Sequence, residues 1–496
     1  MLFNMNEPME REFAHFKRLS GFYLSRVVNE PLQQPDSVQM NLTFRCNLRC
    51  RMCSISGSDA PEARYRNYYK WGISLDTPSK LHDAELTTEE IKRVVDEMVQ
   101  MKIPILIMMG GEPFVRDDIL EVTNYAEDRG RTTVIVTNGT MIDRDLAIEI
   151  VKSKMSHLQF SLDGATAKTH DLIRGIGSFK RLVDNIITVN EVKNTIQRTV
   201  KLRKLSAAAT YTIMNQNCHE LLDVMYLAEE IGLNGINFQP VMTLNNNPFN
   251  FNPHTPQWVQ ESRLPILDKA LDGLMEYKRQ SESKERQGAV DVTSTYAQLR
   301  LMKKYFRGVN VAKAKESKCY AGFNRILPTQ ISDVYLCGSN AVGDLKTQSL
   351  QDIWYSDIAR KARRKIKNCQ NHCLNFCSYI TNQESMMLTL TQTAQDFLDV
   401  TSPETNGFSM DQKMAGVQMA LEYLQDYQPI IAGYLRKHEE DTEEITETLQ
   451  EMEDLKEVLR ERLQILEGKP GHGSFHNTSA TLRRYVATLK HSLLSG

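Results

Sequence analysis

Cys46, Cys50 and Cys53 stand in the run Cys46-Asn47-Leu48-Arg49-Cys50-Arg51-Met52-Cys53, a C-x3-C-x2-C spacing that follows directly on a strand-like segment. Three thiolates on one loop suit an iron–sulfur cluster in which one iron keeps an open coordination position. Zinc usually takes four closed ligands on differently spaced knuckles, and no fourth Cys or His lies close enough in the sequence to complete such a site locally. Taken alone, the triplet also allows metal binding of another kind. An iron with an open position can chelate an amino group and a carboxylate together and pass an electron to the bound molecule.

Further motifs fit a ligand of that kind. The apolar run Ile103 to Met109 ends in Gly110-Gly111-Glu112-Pro113. Two glycines let a ligand approach the backbone, and the Glu112 carboxylate can accept hydrogen bonds from a ligand ammonium. Val134-Ile135-Val136-Thr137-Asn138-Gly139 reads as a strand running into a turn. His157 to Ser161 is followed by Leu162-Asp163-Gly164, and His170-Asp171-Leu172-Ile173-Arg174-Gly175 sets an arginine soon after that strand.

Together these motifs resemble the radical S-adenosylmethionine (SAM) superfamily, and within it the members that carry a C-terminal SPASM or twitch extension; the resemblance covers roughly residues 38–379. It implies that Cys46, Cys50 and Cys53 hold a catalytic [4Fe–4S] cluster. It also implies that Gly110, Gly111, Glu112 and Pro113 receive the methionyl amino group, that Asn138, Ser161 and Asp163 lie near the ribose, and that Arg174 meets the carboxylate. Gln239, at the end of the sixth strand, joins this set. Met52 stands where the family usually has an aromatic residue that packs on adenine, and a thioether can still contact a ring face. Such enzymes are fed by a low-potential electron donor such as flavodoxin or ferredoxin.

The elements that must position these residues alternate from Val38 onward. Strands are predicted at Val38–Thr43, Ile103–Met109, Thr133–Thr137, His157–Leu162, Ala207–Ile213 and Ile236–Pro240. Helices are predicted between them at Thr87 onward, Asp117–Arg129, Asp143–Lys154, Ser178–Val192 and His219–Ile231. Thr87 and Glu90 form a capping-box pattern, and Ile91, Val94, Val95 and Met98 recur at helical spacing. Parallel strands with right-handed helical crossovers make an α/β fold, a partial (β/α)6 TIM-like barrel. Each motif falls at the C-terminal end of a strand, where such folds bind ligands.

The expected domains are a lead-in over 1–37, the barrel over 38–245, a helical linker over 246–310, a cysteine-rich domain over 311–380 and a helical extension over 381–496. The turn-rich run from Asn245 to Pro253 marks the end of the barrel, with helices following at about Gln257–Ser283 and Thr295–Phe306. The charged segment from Arg279 to Gln287 reads as a solvated helix end. Cys319, Cys337, Cys369, Cys373 and Cys377 form the second cysteine group. Gly343-Asp344-Leu345, Ser349-Leu350 and Ile353-Trp354 resemble the turn and helix of a SPASM or twitch module, although Ser332 stands where that module has a glycine. A full SPASM domain needs about seven cysteines for two clusters, so these suffice for one auxiliary [4Fe–4S] cluster on Cys319, Cys337 and two of the other three. A structural zinc site is the alternative. Cys218, alone before a helix, could carry a thiol of lowered pKa that gives hydrogen to a substrate radical, but isolated cysteines are usually inert packing.

In the extension, Ile445, Leu449, Met452, Leu459, Leu463 and Leu466 make an amphipathic seam interrupted by Lys456. This reads as a long helix in a hairpin or short coiled coil, with a final helix at about Thr478–Leu494 after the break at Gly468–Gly473. Its face serves packing first; a lid, partner docking or a dimer are the other uses.

Composition bounds the rest. A chain of 496 residues, 41% hydrophobic and 25% charged, has the make-up of a water-soluble globular protein with two or three folded units. A formal net charge of −2 disfavours nucleic acid as a partner. Met1 to Glu12 does not resemble a secretory signal, and no run approaches the ~20 apolar residues of a membrane span. Clustered cysteines suit metal ligation in a reducing cytoplasm, which is the expected location. The expected activity is reductive cleavage of SAM to a 5′-deoxyadenosyl radical that takes hydrogen from a peptide or protein substrate, with a small-molecule metabolite as the alternative. A non-catalytic zinc scaffold is the third reading, and no catalytic acid, base or hydrogen donor can be singled out.

Overall fold

The computed structural model describes residues 29–53, 85–199, 205–242, 255–309, 319–337, 341–369 and 373–374, with scattered positions at 18–26 and 421–464. The chain divides into two compact units, one of residues 1–33, 314–323 and 380–496, the other of residues 34–313 and 324–379.

The second unit is built on a parallel sheet. Strands β1 (Ser37–Asn41), β2 (Ile105–Met109), β3 (Thr132–Thr137), β4 (His157–Ser161), β5 (Ser206–Ile213) and β6 (Gly235–Pro240) neighbour one another in chain order. All five pairings are parallel, as consecutive right-handed crossovers require. One face of these strands is apolar and closed: Val38, Met40, Leu106, Met108, Ile135, Leu158, Phe160, Ala207, Ala209, Tyr211, Ile213, Ile236 and Phe238 are all fully buried. The residues between them are half-buried: Gln39, Asn41, Gln159, Ser161, Thr210, Thr212, Asn237 and Gln239 are polar, whereas Ile105, Ile107 and Met109 of β2, Val134 and Val136 of β3 and Ala208 of β5 are apolar. This alternation differs from a closed barrel, whose interior is packed with branched apolar side chains. Here the second face carries polar side chains on β1 and on β4 to β6, where a polar ligand can wet it.

The helices form where their caps and periodicity direct. Helix α1 (Thr88–Gln100) starts on the Thr87–Glu90 capping box and buries Ile91, Val94, Val95 and Met98. Helix α2 (Ile119–Asp128) ends before Gly130, whose φ of +70° is the left-handed conformation that stops a helix. Helix α3 (Arg144–Lys152) is capped by Asp143, whose side chain accepts from the Leu146 amide. Helix α4 (Ala167–Arg174) is absent from the sequence expectation, which had only an arginine-bearing stretch here. Its eight residues are too few for a periodic signal, and the marker that could have revealed it is the N-cap Thr166. Helix α5 runs over Ser178–Thr199, longer than expected at its C-terminal end. Helices α6 (Leu221–Ile231), α7 (Leu264–Glu282) and α8 (Tyr296–Phe306) complete this part. Arg279 pairs with Glu276 and Glu285 and is half-exposed, the solvated helix end that its charge density suggested.

The sheet is wider than six strands. Strand β7 (Asp291–Val292) joins β6 in parallel, and β8 (Arg325–Pro328) joins β1 in parallel. From β8 an antiparallel ribbon continues through β9 (Asp333–Tyr335) to β10 (Gly343–Asp344). Two-residue pairings carry no alternation that a sequence pattern could expose. Ser332 turns the β8–β9 hairpin with φ +82°, taking the backbone conformation that the family's glycine would hold without strain. Helices α9 (Leu350–Tyr355, N-cap Ser349) and α10 (Asp357–Lys367) follow and bury Trp354, with the Arg363 guanidinium 4.2 Å above its ring.

In the first unit Phe22, Tyr320 and Phe323 form a buried cluster. Positions 453–464 that are described are helical, and Lys456 is buried against Glu453 at 3.0 Å, so the residue that interrupts the apolar seam is ion-paired. Ile445, Leu449, Met452, Leu459, Leu466 and the final helix lie outside the described residues. No helix among the described residues is long and apolar enough to cross a membrane.

Candidate functional site

The cysteine loop leaves the C-terminal end of β1 and is clamped on both sides. On one side the turn after β2 approaches its backbone: the Gly111 amide donates to the Thr43 carbonyl and the Glu112 amide to the Arg45 carbonyl, both at 2.8 Å. A Cβ on Gly110 would stand 2.8 Å from the Thr43 oxygen, and one on Gly111 would stand 2.0 Å from the Arg45 oxygen. Both glycines are therefore required by the chain that leads into Cys46, a reason different from the ligand approach that the sequence suggested.

On the other side lies a buried ionic group that the sequence reading missed. Glu85 Oε1 accepts from the Thr43 hydroxyl and the Phe44 amide, each at 2.8 Å. Arg116 donates to the Leu42 and Leu86 carbonyls, at 3.2 and 3.1 Å, and pairs with Asp118 at 2.6 Å. Its guanidinium is 3.9 Å from Glu85. Charged residues in a loop-rich stretch read as surface, and only the tertiary fold brings these together.

Glu112 is fully buried, and both of its oxygens are engaged. Oε1 accepts from the Thr137 hydroxyl at 2.7 Å and the Phe114 amide at 3.2 Å, and Oε2 accepts from the Asn138 amide at 2.8 Å. Burial pushes its carboxyl up, against the hydrogen bonds that favour the anion. The partners of this carboxylate lie at the end of β3 and in its own turn after β2. Pro113 is likewise buried. Asn138 in turn donates to Asn47 Oδ1 at 2.8 Å, and Asn47 donates to the Thr140 hydroxyl at 2.8 Å. These bonds tie the interval between Cys46 and Cys50 to the end of β3, and Asn47 is a second residue that sequence reasoning passed over.

Asp163 is also fully buried. Its Oδ2 accepts from Arg174 Nε at 2.6 Å and its Oδ1 from the Thr212 amide at 2.7 Å. Its own amide donates to His170 Nδ1 at 3.2 Å. Arg174, so anchored, lies with Nη1 3.9 Å from Cys50 Sγ, and the Arg51 amide donates to the Ile173 carbonyl at 2.9 Å. The C-terminal end of α4 thus sits against the cysteine loop. Ser161 and Gln239 are half-buried at the strand ends on the polar face, with Gln239 Nε2 3.2 Å from the Thr212 hydroxyl. Met52 is half-buried within the loop.

Burial pushes the Cys50 thiol up to about 11 and raises that of Cys46, each opposed by a neighbouring guanidinium. Raised in this way, the Cys46 and Cys50 thiols stay neutral until a metal takes the place of the proton. The donor set fits an iron–sulfur cluster: three thiols on one short loop, with Cys46 and Cys53 close enough for their charges to act on Cys50, and Cys53 close enough to act on Cys46. Among the described residues no three Cys, His, Asp or Glu groups already converge to metal-binding geometry. Metal sites commonly gain that convergence on binding.

In the second cysteine group, Cys337, Cys369 and Cys373 are half-buried and belong to the second unit, Cys319 belongs to the first, and Cys377 lies outside the described residues. Cys218 is fully buried, and burial raises its thiol rather than lowering it, so it packs.

Residues 40–209 match the Radical SAM superfamily. The chain carries a radical SAM domain and is an enzyme of that superfamily, whose members work with a [4Fe–4S] cluster and SAM. An AdoMet-dependent heme synthase of Methanosarcina barkeri is 25% identical over 339 residues, covering 66% of this chain and 85% of that protein. Mycofactocin maturase MftC of Mycobacterium tuberculosis is 32% identical over 36% of this chain, which spans only 37% of the maturase. Among solved structures, SuiB of Streptococcus suis bound to the precursor peptide SuiA overlaps 73% of each chain, with a TM-score of 0.48 and 14% identity.

Proposed function

We propose that Cys46, Cys50 and Cys53 hold the catalytic [4Fe–4S] cluster and that the enzyme takes hydrogen from a peptide or protein substrate. When bound, the cluster and SAM supply a 5′-deoxyadenosyl radical at the mouth of the sheet. The chain's own residues do the positioning. The Glu85–Arg116 group and the two glycines fix the start of the loop. Asn47 and Asn138 fix its middle, and Arg174 brings positive charge to Cys50. Gly110 and Gly111, through their backbone, and Ser161, Arg174 and Gln239, through polar atoms, receive SAM, with Met52 against the adenine. We further propose one auxiliary [4Fe–4S] cluster in the second cysteine group.

The observation that carries this reading is the meeting of the β2 turn, the end of β3 and Arg174 on one cysteine loop. The relationship to MftC, named a maturase, supports the peptide substrate. The heme synthase relative, matched along 85% of its length, favours a second reading with a small-molecule substrate. Deoxyadenosine release by the reconstituted enzyme separates the two. Stimulation by the large-molecule fraction of a cell extract, abolished by protease, fits the peptide reading. Stimulation by the protease-resistant small-molecule fraction transfers the proposal to a metabolite.

A further inference from the structure

The Asp163–Arg174 pair has a geometry that binding SAM does not require. Asp163 is fully buried, takes Nε of the arginine at 2.6 Å, and is itself fixed by the Thr212 amide of β5 at 2.7 Å. Arg174 is thereby held from its inner edge, with its outer nitrogen Nη1 3.9 Å from Cys50 Sγ. That separation is a charge–sulfur contact rather than a short hydrogen bond. The result is an oriented charge pair, carboxylate deep in the strand ends and cation against the sulfur, in a site shielded from water where such a charge acts strongly.

We infer that Asp163 is a positioning residue that holds the Arg174 cation against Cys50 and thereby raises the reduction potential of the cluster. This rests on Cys50 being a cluster ligand. The reduced cluster carries one more negative charge than the oxidised one, and iron–sulfur potentials follow net charge and contacts to the sulfurs. A fixed cation at the ligand sulfur stabilises the reduced form, which makes electron entry from a one-electron donor easier. The couple is a single electron accepted from an added reductant of the dithionite class, with no bond made or broken.

The test is potentiometric titration of the anaerobically reconstituted full-length enzyme, followed by electron paramagnetic resonance without SAM. Arg174→Gln removes the charge and is expected to lower the potential. Asp163→Asn turns an amide N–H towards Arg174 Nε and releases the arginine, while its own loss of a negative charge acts in the opposite direction. Asp163→Asn made in the Arg174→Gln background reads that second effect alone, and against it Asp163→Asn in the native background is expected to give the lower shift in potential. Arg174→Lys keeps the charge and should fall between Arg174→Gln and the native protein. Iron content and thermal unfolding show which variants are loaded and folded. Should Asp163→Asn fail to fold, the two Arg174 variants carry the test of the charge. A loaded, folded Arg174→Gln with an unchanged or raised potential, or an Asp163→Asn shift equal in the native and Arg174→Gln backgrounds, overturns the inference while leaving the cluster assignment standing. Full iron retained in Cys50→Ala removes the assignment on which the inference rests.

Discussion

Arg116 shows how much of the site depends on a residue with no motif. It is buried, bridges two backbone carbonyls and pairs with Asp118 and Glu85 beneath the start of the cysteine loop. Arg116→Met leaves the buried Glu85, the half-buried Asp118 and two carbonyls without this partner. Removing one partner of a buried ion pair costs about 3–5 kcal/mol. Urea unfolding should show a loss of that order, together with poorer iron incorporation, and a loss below ~1 kcal/mol would mean that the loop is held by other contacts. His170 offers a pH test. Burial and the nearby Arg174 push its pKa down to about 3, with Asp171 opposing, from an ordinary 6.5. The unfolded chain therefore binds a proton that the folded chain refuses between these values. This contribution to stability is fully present above pH 6.5 and is lost as pH falls towards 3, at up to ~1.4 kcal/mol per pH unit. Unfolding measured at pH 7 and pH 5 should show a smaller acid loss for His170→Gln than for the native protein. Equal losses would show that His170 is protonated or exposed in the fold. The motif residues were legible as types, but the protein partners of Glu112 and Asp163 were not: the Phe114 and Asn138 amides for the one, Arg174 and the Thr212 amide for the other.

At the scale of elements, the six central strands were legible because each alternates or is largely apolar and most end in a motif. The Thr87–Glu90 box marked its helix for the same local reason. Helix α4 and strands β7 and β8 were not legible, since they are too short for periodicity and exist through what they pair with. Ser332 is the element-scale departure with an energetic consequence. A non-glycine residue at positive φ costs about 1 kcal/mol, so Ser332→Gly is expected to raise stability by up to ~1 kcal/mol. An unchanged or lower unfolding midpoint would mean that the buried serine side chain repays the strain.

Across the whole molecule, the parallel sheet keeps one face closed and apolar and the other partly polar, and brings three strand-end motifs to one loop of cysteines. The sequence order of motif and strand made that arrangement legible, because a ligand site at the C-terminal ends of parallel strands follows from topology. The role of the second cysteine group and of the C-terminal helices does not follow from such a rule, since neither repeats a strand–helix unit. The central claim is that Cys46, Cys50 and Cys53 carry the radical-generating cluster. It is tested most directly by measuring iron, sulfide and dithionite-driven deoxyadenosine in the anaerobically reconstituted native protein and in a variant with all three changed to alanine. The native protein should hold about eight irons, and the variant about four fewer with no deoxyadenosine. Undiminished iron or deoxyadenosine in the variant would contradict the claim.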